Sequence, residues 1–277
     1  MEKFRMSTSP HLRALGLALL LAMNSTAKAE YVFNMTKGVT EISRGIHNLH
    51  MIIFGICVAI GICVFSVMFY AIIRHRKSLG AEAAHFHENT LVELIWTLIP
   101  FAILIAMTIP AAKLLIKMHD TAHDSELSIK ITGHQWYWEY EYLGEGVRII
   151  SRLSTSQDQI QNRDIKNQHY LREVDNHLVV PLKKKIRFLT TANDVIHSWW
   201  VPALGIKKDA IPGFINEAWA KVEQPGIYRG QCAELCGALH GFMPIVVEAK
   251  TEDEYLTWLA AQKAAINSHS QMSGNVP

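Results

Sequence analysis

The densest group of potential metal ligands in this sequence lies in the stretch CAELCGALHGFM. It contains two thiols, Cys232 and Cys236, one imidazole, His240, and one thioether, Met243. A second imidazole, His197, precedes it in the stretch DVIHSWW. Thiolate, imidazole and thioether groups together form the soft ligand set that selects copper. The five side chains therefore predict a copper site.

The extra cysteine bears on the number of metal ions. A mononuclear blue-copper site uses one Cys, two His and an axial Met, and this sequence offers that set with one more thiolate. Cys232 and Cys236 lie close together on one loop, so both sulfurs can bridge two ions. One His then remains for each ion, with Met243 as a weak axial ligand. The set fits a binuclear centre better than a mononuclear one.

Two other uses of these residues remain open at this point. In an exported domain, Cys232 and Cys236 can form a structural disulfide. Two Cys and two His can also hold zinc in a tetrahedral site. Neither alternative accounts for Met243 or for the placement of His197.

The elements that carry this site follow a strongly apolar first part of the chain. Residues 51–73 and 94–112 are free of charged side chains, and each run is long enough to cross a hydrocarbon core of about 30 Å. We predict two transmembrane helices, at about residues 47–73 and 93–116. The connection begins Arg-His-Arg-Lys at residues 74–77, and basic residues beside a span mark the cytoplasmic side. A helical hairpin gains by packing against other helices, so we expect a partner membrane subunit.

Residues 1–29 have the pattern of a cleaved signal peptide. Basic residues at positions 3, 5 and 13 precede an apolar run, residues 14–23, and small residues follow near position 29. We expect cleavage before Glu30. The alternative is a permanent membrane helix, although the apolar run is shorter than the roughly 20 residues that a span needs.

Residues 118–266 are predicted to form the exported domain. Short β-rich stretches separated by turn residues favour an antiparallel sandwich or barrel. The predicted strands are 127–132, 177–180, 185–190, 218–222, 226–229 and 244–249.

A terminal helix and two irregular segments complete the predicted domain. A capping box at Thr251 and Glu254 predicts a closing helix over residues 255–266, and residues 267–277 form a flexible tail. Residues 143–176 are polar and poorly patterned, so we interpret them as a surface insertion. From Met118 onward there are 19 acidic and 16 basic residues. This balance weakly favours a basic partner and argues against nucleic acid as a ligand.

These residues resemble subunit II of the haem-copper cytochrome c oxidases, bacterial type, whose soluble cupredoxin domain carries the binuclear copper centre CuA. The resemblance extends from the helical hairpin to the terminal helix, and every ligand position of the motif is filled. It implies a two-helix transmembrane hairpin followed by an all-β cupredoxin-like sandwich or barrel with a C-terminal helix. The implied location is the bacterial inner membrane, multi-pass, with the soluble domain in the periplasm.

The resemblance implies a role for each ligand. The sulfurs of the two loop cysteines bridge two copper ions. One ion adds His197 and Met243, and the other adds His240 and the main-chain carbonyl of Glu234. The Glu234 carboxylate also helps hold a magnesium ion shared with subunit I.

The implied function is acceptance of electrons from reduced cytochrome c and their transfer to subunit I, which reduces oxygen to water with proton translocation. Trp136 matches the tryptophan that receives electrons, whereas Trp138 and Tyr140 in the same stretch have the pattern of core residues. The acidic residues near Trp136 or His197 match the acidic cytochrome c docking face: Glu139, Glu141, Glu145 and Asp194. The sequence contains no Cys-x-x-Cys-His motif for a haem of its own, so the donor is a separate cytochrome c.

Glu93 lies at the cytoplasmic start of the second predicted span. An ionisable residue at a span boundary is expected to have a functional or protein-facing role, and by the resemblance this position matches the entrance of the K proton pathway. The alternative is an acidic residue that only marks the helix start, where negative charge suits the helix dipole.

Three rival functions share part of this pattern. The quinol-oxidase version of this subunit lacks the copper ligands that this sequence retains. Nitric oxide reductases with a CuA subunit keep those ligands, so the partner subunit decides the terminal acceptor. A membrane-anchored copper store would favour an exposed, exchangeable site, whereas this sequence adds the aromatic motif around Trp136 and the acidic Glu93.

Overall fold

The computed structural model describes residues 34–82, 87–121 and 123–273, with side chains described up to residue 268. The predicted signal peptide and its cleavage site lie outside the described residues. Two long helices come first, α1 (Glu41–Arg74) and α2 (Thr90–His119), and a 3-10 turn, Lys77–Leu79, lies in the described part of their connection. The elements of the following domain are, in chain order: β1 (Leu127–His134), β2 (Tyr137–Tyr142), β3 (Val147–Ser151), α3 (Gln157–Ile160), β4 (Leu178–Pro181), β5 (Lys185–Ala192), β6 (His197–Val201), a 3-10 turn (Pro202–Leu204), β7 (Ile206–Ala210), β8 (Asn216–Lys221), β9 (Gly226–Cys232), a 3-10 turn (His240–Phe242), β10 (Pro244–Lys250) and α4 (Glu252–Ser273).

Both long helices are apolar enough and long enough to cross a membrane. Each begins earlier than the sequence predicts, because a polar cap defines its start. The Thr40 side chain accepts a hydrogen bond from the Ser43 N–H at 3.0 Å, and the Asn89 side chain accepts one from the Val92 N–H at 3.1 Å. These caps satisfy backbone donors that the first helical turn leaves free.

The strands form two five-stranded sheets, in the orders β3-β2-β1-β5-β8 and β4-β10-β9-β6-β7. The predicted sandwich is confirmed, but the prediction that it is antiparallel throughout is wrong. β1 pairs with β5, and β4 with β10, in parallel. These partners are distant in the chain, so their connections are long enough for the parallel arrangement, which a short hairpin cannot provide.

The core lies between the two sheets. Side chains alternate along β1, where Ile129 and Ile131 are fully buried between more exposed neighbours, as the period of two in a strand requires. Trp138, Tyr140 and Trp199 are also fully buried, and each large apolar side chain contributes about 1.5–3 kcal/mol on burial. The prediction that Trp138 and Tyr140 are core residues is confirmed.

Part of the predicted surface insertion belongs to a sheet. Residues 147–151 form β3, which pairs with β2 and buries Val147 and Ile149. This strand is not predicted from the sequence, because two alternating apolar residues are too short a pattern to distinguish a strand from a loop. The rest of the segment lies outside the sheets and is tied back by a bridge between Leu153 and Val174.

Helix α4 closes the domain. The Glu254 carboxylate accepts hydrogen bonds from the Thr251 N–H at 3.0 Å and the Thr251 hydroxyl at 2.7 Å, which confirms the predicted contact. The helix continues to Ser273, beyond the predicted end at Ile266. The Ser268 hydroxyl donates to the Ala265 carbonyl at 2.8 Å within this extension. Residues 274–277 lie outside the described residues.

The hairpin and the β-domain meet where α1 begins and α2 ends. The Thr40 hydroxyl donates to the Leu204 carbonyl at 2.9 Å, and Arg44 pairs with Glu223 at 2.7 Å. At the other helix, the Trp219 indole donates to the Lys117 carbonyl at 3.0 Å. The basic connection between the helices therefore lies about 50 Å from the domain, by the length of α1.

Candidate metal centre

The side chains that the sequence predicts as copper ligands converge at one end of the sandwich. The sulfurs of Cys232 and Cys236 lie 3.9 Å apart. His197 Nδ1 lies 4.0 Å from the Cys232 sulfur, and His240 Nδ1 lies 3.6 Å from the Cys236 sulfur. The Met243 sulfur lies 3.5 Å from the Cys236 sulfur. The site is buried: both cysteines, His197 and Met243 are almost inaccessible to solvent.

Pairing within one sheet brings these ligands together. His197 is the first residue of β6 and Cys232 the last of β9, and these neighbouring strands pair in the register Trp199 with Cys232. β9 also pairs with β10, which Met243 immediately precedes. Because β9 and β10 are paired neighbours, the loop between them begins and ends at the same edge of the sheet. The loop therefore places Cys236 and His240 near the first residue of β6, which is His197.

Asp194 fixes the orientation of the His197 ring. Its carboxylate lies 2.8 Å from His197 Nε2 and also accepts hydrogen bonds from the Val195 and Gln135 N–H groups, both at 2.7 Å. With Nε2 occupied, Nδ1 faces the cysteines. Burial opposes ionisation of Asp194, but the hydrogen bond from His197 and the two backbone bonds outweigh it and lower its pKa. Such a carboxylate is the usual outer partner of a metal-bound histidine.

Gly133 leaves the space that the His197 ring occupies. A Cβ at this position would lie 2.8 Å from Cδ2 and 2.9 Å from Cγ of that ring, closer than carbon atoms approach without displacement. Gly133 belongs to β1, in the opposite sheet, so the histidine is packed between the two sheets.

The ligand loop is held from the turn between β1 and β2. The Gln135 side-chain amide and the Trp136 indole both donate to the Cys236 carbonyl, at 2.8 and 3.2 Å. The Trp138 indole donates to the Met243 carbonyl at 3.3 Å. Trp136 is half-buried against the core, and its hydrogen bond leads directly to the backbone of a cysteine ligand.

The two thiols ionise unequally. Burial would raise the pKa of Cys232, but hydrogen bonds from His197 and from the backbone lower it below its usual value. Burial and the neighbouring Cys232 sulfur raise the pKa of Cys236. Without metal the pair therefore holds one proton strongly, since two adjacent thiolates repel each other. A cation that neutralises both sulfurs would release that proton.

These donors are the soft set that fits copper. The sulfurs of Cys232 and Cys236 are not bonded to each other in this structure. Ligand atoms of His197, Cys232 and Cys236 lie within 4.8 Å of one another. A structural zinc site has four ligands. Here His240, the Met243 sulfur and a main-chain carbonyl lie beside these three residues, so the site offers more donors than zinc needs.

That carbonyl belongs to Glu234. Its oxygen lies 3.4 Å from the Cys232 sulfur, so it stands beside the cluster as the sequence resemblance implies. The Glu234 side chain is exposed at the surface. Among the described residues, the group of three or more potential metal ligands that the structure brings together is His197, Cys232 and Cys236, and Glu234 is not part of it.

The four carboxylates predicted to belong to an acidic docking face each have a partner in the structure. Glu139 is only 6% exposed and pairs with Arg148. Glu145 pairs with Lys263 at 2.5 Å. Asp194 is engaged with His197 as described above, and Glu141 lies 3.6 Å from Lys130. The sequence pattern does not reveal these partners, and the docking role of the four residues stays a prediction.

Glu93 lies in the first turn of α2, far from the metal centre. Its carboxylate accepts a hydrogen bond from the Asn89 N–H at 3.4 Å. This contact is the interaction expected of an acidic residue at a helix start. The geometry of this chain alone is therefore compatible with both roles considered for Glu93.

Gln135 and Gly133 are site residues that the sequence pattern does not predict, and Asp194 was predicted to belong to a docking face. A usable signal for Asp194 was its position three residues before His197, because so short a segment keeps a carboxylate within reach of the imidazole. Gln135 and Gly133 gave no comparable signal, because they reach the site from another sheet.

A helical hairpin, a two-sheet domain and a buried cluster of soft ligands define a membrane-anchored cupredoxin-like protein. The sequence profile described as "Cytochrome C oxidase subunit II, periplasmic domain" matches residues 127–250, and the profile described as "Cytochrome C oxidase subunit II, transmembrane domain" matches residues 28–114. The chain belongs to the family of cytochrome c oxidase subunit II, a subunit of the haem-copper terminal oxidases.

Individual relatives agree. A probable cytochrome c oxidase subunit 2 of Rickettsia conorii is 39% identical over 230 residues, which cover 82% of this chain and 71% of that protein. Cytochrome c oxidase subunit 2 of Arabidopsis thaliana is 39% identical over 224 residues, covering 80% and 86%. A crystal structure of the periplasmic domain of subunit II of cytochrome oxidase from Bradyrhizobium japonicum is 42% identical, with a TM-score of 0.46, and the match covers 51% of this chain and 96% of that chain.

Proposed function

We propose that this subunit accepts electrons from reduced cytochrome c at a binuclear CuA centre and passes them to subunit I, where oxygen is reduced to water with proton translocation. The observation that carries the proposal is the convergence of two thiols, two imidazoles and a thioether in one buried cluster. Two copper ions held there would supply a one-electron carrier. The location proposed with it is the bacterial inner membrane, with both helices spanning it and the β-domain in the periplasm.

The residues of the chain have distinct parts in this function. Cys232 and Cys236 would hold the copper, and burial keeps water away from both sulfurs. His197 is held rigid by Asp194 and Gly133, so little rearrangement accompanies a change of charge at the site. The Trp136 indole donates a hydrogen bond to the Cys236 carbonyl. The tryptophan thereby connects the surface that the electron donor contacts with the ligand loop.

Two further assignments concern subunit I. The exposed Glu234 carboxylate is adjacent to a carbonyl that faces the copper cluster, so a magnesium ion held there with subunit I would lie between the two redox centres. Glu93 lies at the opposite end of the hairpin, beside the basic connection, and we assign it to the entrance of the K proton pathway. Oxidase subunits, cytochrome c and membrane lipid are the partners that this arrangement requires.

Donor oxidation by the purified oxidase complex tests the proposal. Trp136→Ala should slow electron transfer from reduced cytochrome c by at least about tenfold while changing donor binding much less, because the indole couples the donor to the ligand loop. Stopped-flow oxidation of cytochrome c measures the transfer, and the copper absorption spectrum checks that the site is intact. An unchanged transfer rate in a copper-replete Trp136→Ala complex would remove this role from the tryptophan.

A further inference from the structure

A pocket lies where the hairpin meets the β-domain, between the first turn of α1, the end of α2 and strands β7 and β8. Its volume is about 480 Å³ including the open side. Apolar side chains of the two helices form one part of the pocket, and the domain contributes charged side chains and an aromatic ring. The lining residues include Ile42, Leu115, Met118, Lys208, Glu217 and Trp219.

The pocket lies close to the membrane boundary that the helices define. The charge-free run of α2 ends at Ala112, and Leu115 is three residues further along the helix, or about 4.5 Å. Leu115 is 55% exposed. The Trp219 indole donates to the Lys117 carbonyl at 3.0 Å, and tryptophan is enriched at the depth of lipid headgroups. The pocket therefore combines an apolar helix surface with polar groups at headgroup depth.

Lys208 is a cation of this pocket that has no ion-pair partner. Among the described residues, no carboxylate oxygen lies within 4.0 Å of its ammonium group. The neighbouring carboxylates are already paired with other cations: Glu41 with Lys117, Asp120 with Lys185 at 3.6 Å, and Glu217 with Arg187. A negatively charged ligand is therefore the missing counter-charge of Lys208.

The neighbours of Lys208 in β7 do not supply that counter-charge. Side chains alternate along a strand, so Lys207 and Asp209 project from the face of β7 opposite to Lys208 and offset each other there. The Lys207 ammonium lies 4.5 Å from the centroid of the Trp200 ring, and Trp200 is its partner in the pairing of β6 with β7. The positive charge of Lys208 thus remains unbalanced beside an apolar surface.

We propose that the pocket binds one anionic phospholipid, with the headgroup phosphate against the Lys208 ammonium and an acyl chain along α2 at Leu115. The apolar part of the pocket continues the apolar surface of the helix, which favours a lipid over a free anion. A zwitterionic headgroup would bring a further cation beside Arg187 and Lys185, whereas an anionic headgroup would not. A lipid bound here would join the hairpin to the β-domain at the membrane surface, independently of the copper centre.

Photolabelling of the holo-oxidase tests the role of Lys208. The complex is placed in nanodiscs that contain a trace of phosphatidylglycerol with a photoactivatable acyl chain, and the labelled peptides are mapped by mass spectrometry. The end of α2 should be labelled, and a phosphatidylcholine probe with the same chain should label it several-fold less. Lys208→Gln should lower labelling by phosphatidylglycerol about fivefold, as expected for loss of one lysine at a membrane surface. Lys166→Gln, in the exposed segment between β3 and β4, is the control and should label like wild type.

Two neighbouring residues of α2 test the apolar part of the pocket. Leu115 lines the pocket, whereas Ile116 is 72% exposed outside it. Leu115→Trp fills the space and should reduce labelling by phosphatidylglycerol several-fold. Ile116→Trp, the matched control, should label like wild type. Copper content and subunit composition should be the same in all of these variants.

Three results would overturn the inference. Equal labelling by the two probes, with no effect of Lys208→Gln, would show that only bulk lipid contacts α2. Loss of labelling when inorganic phosphate is added would show that the pocket binds free anions rather than a lipid. Absence of labelling, together with a carbodiimide cross-link from Lys208 to a carboxylate of another subunit, would show that the pocket is a subunit contact. None of these results bears on the copper centre, so the proposed function stands or fails separately.

Discussion

Two residues that are not metal ligands, Asp194 and Gly133, set the position of the His197 ring. Asp194 occupies Nε2 through a 2.8 Å contact, and Gly133 leaves room for the ring face. The imidazole consequently presents Nδ1 to the cysteines in one orientation. A preorganised ligand of this kind does not have to be reoriented when the metal binds.

A methyl group at Gly133 should therefore disturb the metal site more than the fold. In Gly133→Ala, the new Cβ would lie 2.8 Å from the ring, and relief of such an overlap costs about 1–3 kcal/mol. If that cost falls on the liganded state, copper affinity drops by about tenfold or more. Competition with a copper chelator, using the full chain in detergent, measures the change.

Gly241→Ala is the matched control for this prediction. Gly241 lies in the same ligand loop, next to His240, but a Cβ there would meet no atom within 4 Å. Its copper affinity should equal that of wild type. Equal affinities in both variants would show that the contact between Gly133 and the ring does not control the seating of His197.

The ligands were predictable from sequence, but their supporting contacts were not. Cys232, Cys236, His240 and Met243 are close in the chain, so their residue types and spacing alone indicate a shared site. Gly133 and Gln135 act across the sandwich, and a tertiary contact of this kind leaves no local pattern.

Among the elements, the strands nearest the site were the hardest to predict. β6 begins with a histidine and β7 contains the charged run Lys207 to Asp209. Neither has a clean alternation of apolar and polar residues. Both form because β6 pairs with β9 on one side and with β7 on the other. The two long helices, by contrast, follow from uninterrupted apolar runs and need no tertiary information.

The hairpin supplies a prediction about proton uptake. Glu93→Gln keeps the side-chain shape and can still accept a hydrogen bond from the Asn89 N–H, but it cannot carry a proton. If Glu93 is the pathway entrance, steady-state oxygen consumption should fall by about tenfold or more. The first, rapid phase of cytochrome c oxidation and the copper content should not change.

Glu88→Gln provides the control, since Glu88 is an exposed acidic residue just before the same helix. Its turnover should match that of wild type. Equal turnover in the two variants across the working pH range would show that Glu93 has only a structural role at the helix start.

At the scale of the whole molecule, the β-domain is fixed to the hairpin by polar contacts at both helices. Glu217 on β8 is one of them: Arg187 donates to it through Nε at 3.0 Å and through a second nitrogen, and Thr121, just after α2, donates at 2.6 Å. Arg187 first, and then Thr121, lower the pKa of Glu217 below its ordinary value of 4.5.

The lowered pKa of Glu217 predicts how the free energy of unfolding depends on pH. A carboxyl group with a lowered pKa in the folded state stabilises the protein above pH 4.5, and the contribution disappears as the pH falls through the folded-state value. Glu217→Gln should therefore reduce the free energy of unfolding by about 1 kcal/mol at pH 7, and the difference from wild type should shrink as the pH falls below 4.5. Denaturant unfolding of the full chain in detergent at pH 7 and at several acidic pH values measures it. Glu141→Gln is the control: it removes a looser 3.6 Å pair and should change the free energy of unfolding little. An effect of Glu217→Gln that does not depend on pH would contradict the lowered pKa assigned to Glu217.

The number of copper ions and the distribution of the unpaired electron test the central claim most directly. The full chain, purified in detergent and loaded with copper, should contain two ions per chain. When oxidised, it should give an electron paramagnetic resonance spectrum in which one unpaired electron is shared by both nuclei. Cys232→Ser and Cys236→Ser should each lose this spectrum, because a hydroxyl is a hard and poor bridging ligand. One copper per chain, with the hyperfine pattern of an electron localised on a single nucleus, would contradict the binuclear centre.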